Sequence, residues 1–200
     1  MSTEPILKFG VPKGSLEEAT QDLFARAGWK ISRHERNYFP DVNDPELQLS
    51  LTRVQEIGGL VADGILDAGI AARDWIREMD LEDKLVKVCD LVYAKTSLRP
   101  SRWVLAVAGD SPYRKPEDLA GKRIATEVQN LTRRYFREKG IDVDVFYSWG
   151  ATEAKVVQGL ADGIIEVTET GTTIRAQGLR IIDEVMLCLL YTSPSPRDTE

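Results

Sequence analysis

The segment Glu166-Val167-Thr168-Glu169-Thr170-Gly171-Thr172-Thr173 brings two carboxylates and four threonine hydroxyls together between an apolar run and a short helix-compatible stretch, Ile174 to Gln177. Hydroxyls and backbone N–H groups at a strand-to-helix turn converge on a phosphate without requiring a lysine. A carboxylate such as Glu166 or Glu169 accepts from sugar hydroxyls beside it. The same composition also fits a polar surface turn, and without a Gly-Lys-Ser/Thr ending it is not a Walker loop. Pro12-Lys13-Gly14 is a second candidate, following a short apolar run. There Lys13 would set a cation over phosphate oxygens while Gly14 permits close backbone approach, although a solvent-facing turn lysine has the same letters. Arg53 and Arg73 are further candidate cations. Asp67 and Asp74 flank Ala68 to Arg73. Either accepts from a ribose hydroxyl, and Asp74 also has the position of a helix cap before Trp75.

Composition narrows the chemistry further. One histidine, His34, and two cysteines, Cys89 and Cys188, exclude a His-centred triad, a zinc cluster and a disulfide framework. No protein-held metal site is expected. A net charge of -6 over 200 residues disfavours a general nucleic-acid binder but leaves room for a local basic cleft. No apolar run approaches the roughly 20 residues that span a bilayer, so an intracellular, cytoplasmic protein with no membrane partner is expected. Cys89 lies in an apolar run and reads as packed rather than reactive.

These residues need elements to position them. Ile6 to Val11 reads as a strand, and Ser15 with Glu18 has capping-box spacing before a helix whose apolar face includes Leu16, Leu23 and Phe24. A helix over Thr52 to Asp63 leads into a strand over Ile65 to Ala71, and Val86 to Tyr93 and Trp103 to Ala108 read as further strands. The second half repeats this pattern with a strand at Arg123 to Thr126, a helix at Leu131 to Lys139 and a strand at Val143 to Tyr147. A helix at Ala151 to Asp162 and strands at Ile164 to Val167 and Arg180 to Leu187 follow. The expected class is α/β, with largely parallel sheets and flanking helices. Ala62-Asp63-Gly64-Ile65 recurs as Ala161-Asp162-Gly163-Ile164, an offset of 99 positions. This echo is either a common helix ending or the trace of two similar lobes holding a ligand between their loops.

Taken together, several segments resemble ATP phosphoribosyltransferase. They are Val11 to Gly14, Asp67 to Ile70 with Arg73 to Trp75, Gly121 to Thr126, Asn130 to Phe136, Ser148 to Glu153, and Glu166 through Arg180. The resemblance implies two α/β lobes like type II periplasmic binding proteins. It also implies transfer of the 5-phosphoribosyl group of phosphoribosyl pyrophosphate to N1 of ATP, a pentosyltransferase reaction that opens histidine biosynthesis and uses magnesium (Mg2+). Thr170, Gly171, Thr172 and Thr173 would hold the 5-phosphate, Glu166 would meet the ribose, and Lys13 would face ATP or pyrophosphate. Lys13 and Glu166 are thus the implied catalytic residues, with Gly14, Arg53, Asp67, Asp74 and Glu169 as substrate contacts. A homo-oligomer and a possible regulatory subunit are implied partners. The sequence departs from the family pattern at Ser15, where arginine is common, and at Ala71-Ala72, where Thr-Gly is usual. A non-catalytic, cytosolic two-lobe sensor of a phosphorylated or amino-acid ligand is the alternative.

The expected organisation is a first lobe over 1–95, a second over 96–179, a return to the first lobe over 180–187, and a flexible or non-native tail over 188–200. The Ser193-Pro194-Ser195-Pro196 run favours an extended, solvated tail. The matching segments are nearer the long form of the family, so the chain is expected to lack that form's C-terminal part.

Overall fold

The computed structural model describes residues 6–32, 37–91, 101–188 and 190–194. His34 and the expected boundary at 95/96 lie outside them. The chain divides into two compact units, Met1–Leu98 with Leu189–Glu200, and Arg99–Cys188.

Unit 1 runs β1 (Leu7–Pro12), α1 (Glu17–Arg26), a small ribbon of β2 (Ile31–Ser32) and β3 (Asp41–Val42), then β4 (Leu47–Thr52) and α2 (Val54–Ala62). It continues with β5 (Ala68–Ala72), α3 (Arg73–Glu78) and β6 (Cys89–Leu91). Unit 2 comprises β7 (Arg102–Ala108), β8 (Arg123–Thr126), α4 (Gln129–Glu138), β9 (Asp144–Tyr147), α5 (Thr152–Val157), β10 (Gly163–Thr168), α6 (Thr172–Ala176) and β11 (Leu179–Leu187). A last strand, β12 (Leu190–Pro194), belongs to the sheet of unit 1.

The two sheets share one topology. Unit 1 has the order β4-β1-β5-β12-β6 and unit 2, read from its other edge, β9-β8-β10-β7-β11. In each, the first three strands are parallel and the fourth is antiparallel to both neighbours. The parallel majority matches the expected class. The chain reverses its order between β1 and β5, and again between β8 and β10, so the loops at the C-terminal ends of these strands lie where open α/β sheets bind ligands.

Packing follows the apolar pattern. Trp103 to Val107 on β7 are all buried, as a central strand covered on both faces requires. On α4, Leu131, Thr132, Tyr135 and Phe136 form the buried stripe. Gly10 and Gly69 pair across β1 and β5, and a Cβ on Gly69 would lie 2.5 Å from Cγ2 of Ile57. The glycine there lets α2 settle against the sheet.

Several expectations change. Ser15 does not cap α1; the N-cap is Leu16, with no side-chain cap, and the Glu17 carboxylate accepts the Gly14 N–H at 3.2 Å. The helix of 151–162 ends at Val157, because Gly159 turns left-handed at φ 70°. Cys89 is exposed on the short strand β6. The largest corrections concern the end of the chain. Residues 180–187 do not return to unit 1: β11 pairs along β7 from Leu179 to Leu187. The return is made instead by β12, which pairs with both β5 and β6, so Leu190–Pro194 is a laddered strand and not a free tail. A gap between two strands satisfies backbone donors and acceptors whatever the local composition favours. Among the described residues, no helix is long and apolar enough to cross a membrane.

Candidate functional site

In unit 2, the loops that follow β8, β9 and β10 lead into α4, α5 and α6 at the C-terminal edge of the parallel strands. Glu166 is half-buried on β10 and its Oε1 accepts the Val167 N–H at 3.0 Å. Burial is the main force raising its pKa, from an ordinary 4.5 up to about 7, with the Glu127 and Glu153 carboxylates adding to it. The Val167 N–H and the Thr152 hydroxyl oppose that rise by hydrogen-bonding to the carboxylate.

The turn beyond Glu166 is closed from within. Thr168 Oγ1 accepts the Gly171 N–H at 2.8 Å, so this hydroxyl shapes the loop. Gly171 adopts φ 74°, and a Cβ there would meet Cδ1 of Ile181 and the Arg175 guanidinium, both at 2.9 Å. Arg175 donates to the Thr170 carbonyl at 2.7 Å. Thr170 and Thr172 are exposed with their hydroxyl oxygens 2.8 Å apart, and Thr173 is exposed beside them. Glu169 is half-buried on the same turn. Three hydroxyls and the amides of Thr172 and Thr173 thus lie at one turn, an arrangement that can bind an anion through neutral donors.

Unit 1 gathers its candidates at the corresponding edge. Lys13 and Gly14 follow β1, Arg53 follows β4 and Asp74 lies in the first turn of α3 after β5. The Lys13 N–H donates to the Thr52 carbonyl at 2.7 Å, which ties the two loops together. The Lys13 ammonium lies 4.4 Å from the Tyr38 ring centroid, a cation–π contact that orders its long side chain. Gly14 has φ 87° with open space where a Cβ would stand, and Arg53 is exposed at the N-cap of α2. Asp74 is 6% exposed and its Oδ1 accepts the Trp75 N–H at 3.0 Å from within the first turn of α3; the N-cap is Ala72, with no side-chain cap bond, so Asp74 is not the helix cap its sequence position suggests. Ala72 is extended (φ -94°, ψ 128°), so alanine at this departure from the family pattern is unstrained.

Asp67 is the exception. It precedes β5 at the opposite, N-terminal end of the strands, where its Oδ2 accepts the Lys8 N–H at 2.7 Å. The sequence places it inside a strand beginning at Ile65, whereas β5 begins at Ala68. Asp67 is a structural pin, not a member of this edge. Sequence reasoning also misses Tyr38 beneath Lys13, and the buried hydroxyls of Ser148 and Thr152 between β9 and α5. Buried Ser and Thr carry no periodic signal of their own, because the same letters mark turns and caps.

The sequence pattern of the ATP phosphoribosyltransferase family matches residues 53–191. The chain is 65% identical over 187 residues to the ATP phosphoribosyltransferase of Nitratidesulfovibrio vulgaris strain Hildenborough, covering 94% of this chain and 63% of that one. It is 60% identical over 186 residues to that of Solidesulfovibrio magneticus, covering 93% and 63%. The chain therefore spans about 63% of the length of these curated relatives. Among solved structures, it is similar to the ATP phosphoribosyl transferase (HisG:HisZ) complex from Thermotoga maritima, at TM-score 0.80 and 27% identity over 96% of this chain and 89% of that one. The fold is also that of the periplasmic aliphatic sulphonate binding protein of Escherichia coli, at TM-score 0.61 and 18% identity over 98% and 66%. With the family pattern covering most of its length and both candidate loops in place, this chain belongs to the ATP phosphoribosyltransferase family.

Proposed function

We propose that this chain carries the machinery that transfers the 5-phosphoribosyl group of phosphoribosyl pyrophosphate to N1 of ATP, giving phosphoribosyl-ATP and pyrophosphate. The observation that supports this best is the pairing, on one strand and its following turn, of the Glu166 carboxylate with the Thr170, Thr172 and Thr173 hydroxyls. One end of a phosphorylated ribose needs donors and the other needs an acceptor, and this segment offers both.

In this reading Thr170 to Thr173 hold the 5-phosphate and Glu166 accepts from ribose hydroxyls, with Glu169 beside them. Lys13 supplies a cation to the polyphosphate, Gly14 lets backbone approach it, and Arg53 adds charge. Asp74 sets the first turn of α3. The N1 lone pair of adenine forms the new bond to C1 of the ribose as the bond from C1 to pyrophosphate breaks. Neutral N1 has no proton to lose, so positioning and charge stabilisation do the work, without a dedicated general base.

Among the described residues no group of three or more acidic, histidine or cysteine side chains is arranged to hold a metal. The proposed magnesium ion would be carried by the oxygens of the pyrophosphate and by water. When bound, such an ion neutralises charge on the leaving group. The proposed setting is the cytoplasm and the first step of histidine biosynthesis. A homo-oligomer and a regulatory subunit are proposed partners, in line with the complex formed by the Thermotoga maritima protein. Incubation of the purified chain with ATP, phosphoribosyl pyrophosphate and magnesium tests the reading. Phosphoribosyl-ATP is the expected product, and ligand binding without turnover would mark a sensor instead.

A further inference from the structure

Tyr38 is 56% exposed, yet its backbone is held firmly in place. The Asn37 side chain brackets it, with Oδ1 accepting the Phe39 N–H at 2.9 Å and Nδ2 donating to the Phe39 carbonyl at 2.7 Å. The Tyr38 carbonyl accepts the Leu51 N–H at 2.8 Å. The next residue of β4, Thr52, accepts the Lys13 N–H through its own carbonyl at 2.7 Å. Two consecutive residues of one strand thus fix the backbones of Tyr38 and Lys13, and the side chains meet with the ammonium 4.4 Å from the ring centroid.

A ring more than half exposed buries little apolar surface, so packing alone gives no reason to pin it. Its effect on the lysine gives one. A lysine side chain spreads over many rotamers unless something restrains it, and a carboxylate is the usual restraint. A carboxylate would also cancel the charge and occupy N–H donors that phosphate oxygens require. A ring face attracts the ammonium through its quadrupole and brings no negative charge with it. Among the described residues, no carboxylate pairs with the Lys13 ammonium.

We propose that Tyr38, fixed by Asn37 and β4, is the positioning residue for Lys13, resting its ammonium at the C-terminal edge of β1 with its charge uncompensated and its N–H donors available to polyphosphate oxygens. This rests on the reading of Lys13 as the cation that meets the polyphosphate.

The test uses the full chain and two measurements. Proton–carbon NMR reads the Lys13 Hε signals, assigned by their loss in Lys13→Met, and calorimetry follows the binding of ATP and, separately, of pyrophosphate. The ring current should shift the Lys13 Hε signals upfield in wild type and in Tyr38→Phe, and leave them at the ordinary lysine position in Tyr38→Leu. Whichever ligand Lys13→Met weakens, Tyr38→Leu should weaken by about two- to five-fold, the strength of an exposed cation–π contact, with Tyr38→Phe at the wild-type value. Tyr38→Glu discriminates most sharply. Its carboxylate would restrain the ammonium but cancel its charge, so binding should be weaker still than in Tyr38→Leu. Asn37→Ala, which loosens the loop and keeps the ring, should give a smaller loss, and serves in place of Tyr38→Leu should that variant not fold. An unshifted Hε signal in wild type, wild-type binding in Tyr38→Leu, or binding in Tyr38→Glu at or above wild type overturns the positioning role. If the ring shift is present but Lys13→Met binds both ligands as tightly as wild type, the polyphosphate reading of Lys13 fails and the positioning role with it, while the Lys13–Tyr38 contact stands.

Discussion

Asp67 and Asp162 occupy the same place in the two units. Asp67 precedes β5, donates its N–H to the Lys8 carbonyl at 2.9 Å and accepts the Lys8 N–H at 2.7 Å. Asp162 precedes β10, donates its N–H to the Arg123 carbonyl at 2.9 Å and accepts the Arg123 N–H at 3.0 Å. Asp67 thus fastens the start of β5 to the start of β1, and Asp162 fastens the start of β10 to the start of β8. The left-handed glycines Gly64 and Gly159 each stand three residues earlier and end the preceding helix turn. The true offset between the units is 95, so the Ala-Asp-Gly echo at 99 is a coincidence of letters.

Since both contacts are charge-assisted and remote from the candidate sites, Asp67→Ala and Asp162→Ala should each cost about 1 to 2 kcal/mol of stability. Asp162 should cost the more, because its Oδ1 also accepts from the Tyr113 hydroxyl at 3.2 Å. Ligand affinity should be unchanged in both. Urea unfolding with calorimetry checks this, and a loss of affinity in Asp67→Ala at wild-type stability would return Asp67 to the site.

Much of the frame is legible because burial imposes a period. The apolar run of β7, the stripe of α4 and the polar run after β10 can all be read from letters alone. The alternation Leu47-Gln48-Leu49-Ser50-Leu51-Thr52 is an equally plain strand signal for β4, yet the reading of the sequence leaves it unassigned. Other features are set by tertiary context. Nothing local distinguishes an aspartate before a strand from one inside it, which is why Asp67 misleads. Tyr38 meets Lys13 across 25 positions, and Leu190–Pro194 is a strand only because β5 and β6 leave a place for it.

Thr172→Val tests the anion turn. The Thr172 and Thr170 hydroxyls lie 2.8 Å apart, so a phosphate that accepts from both needs little rearrangement of the loop. Losing one hydrogen bond to a charged group should weaken phosphoribosyl pyrophosphate binding by about 1 to 3 kcal/mol, with the fold intact. Unchanged affinity in calorimetry would remove the turn from the site.

Glu166 links stability to pH. Its folded pKa of about 7 lies above the ordinary 4.5, so the folded state binds the proton more tightly than the unfolded state. The resulting stability is fully present below pH 4.5 and is lost as pH rises through 7. Glu166→Gln removes this dependence. The variant should therefore be more stable than wild type above pH 7 and bind phosphoribosyl pyrophosphate poorly. Melting curves from pH 4 to 9 check the first part, and parallel wild-type and variant profiles would show that Glu166 titrates normally.

The strand β12 stands where a flexible tail is expected from the sequence. Among the described residues it is the sole laddered neighbour of β6, through Leu190↔Leu91, Tyr191↔Asp90 and Thr192↔Cys89. On its other side it pairs with β5 from Leu190↔Ala72 to Pro194↔Ala68. Pro194 stands at the last position of the strand, where a missing N–H is least disruptive. Deleting Leu190 to Glu200 leaves β6 without a partner strand and bares one edge of β5 over its length. At roughly 0.5 to 1.5 kcal/mol net for each ladder bond, the deletion should cost unit 1 about 3 to 5 kcal/mol. The opened edge should also promote association. Hydrogen exchange offers the most local check: amides of β5 and β6 should lose protection while those of β8 to β10 in unit 2 keep theirs. Equal protection in the deleted and full chains, with an unchanged melting temperature, would show that unit 1 does not depend on the strand.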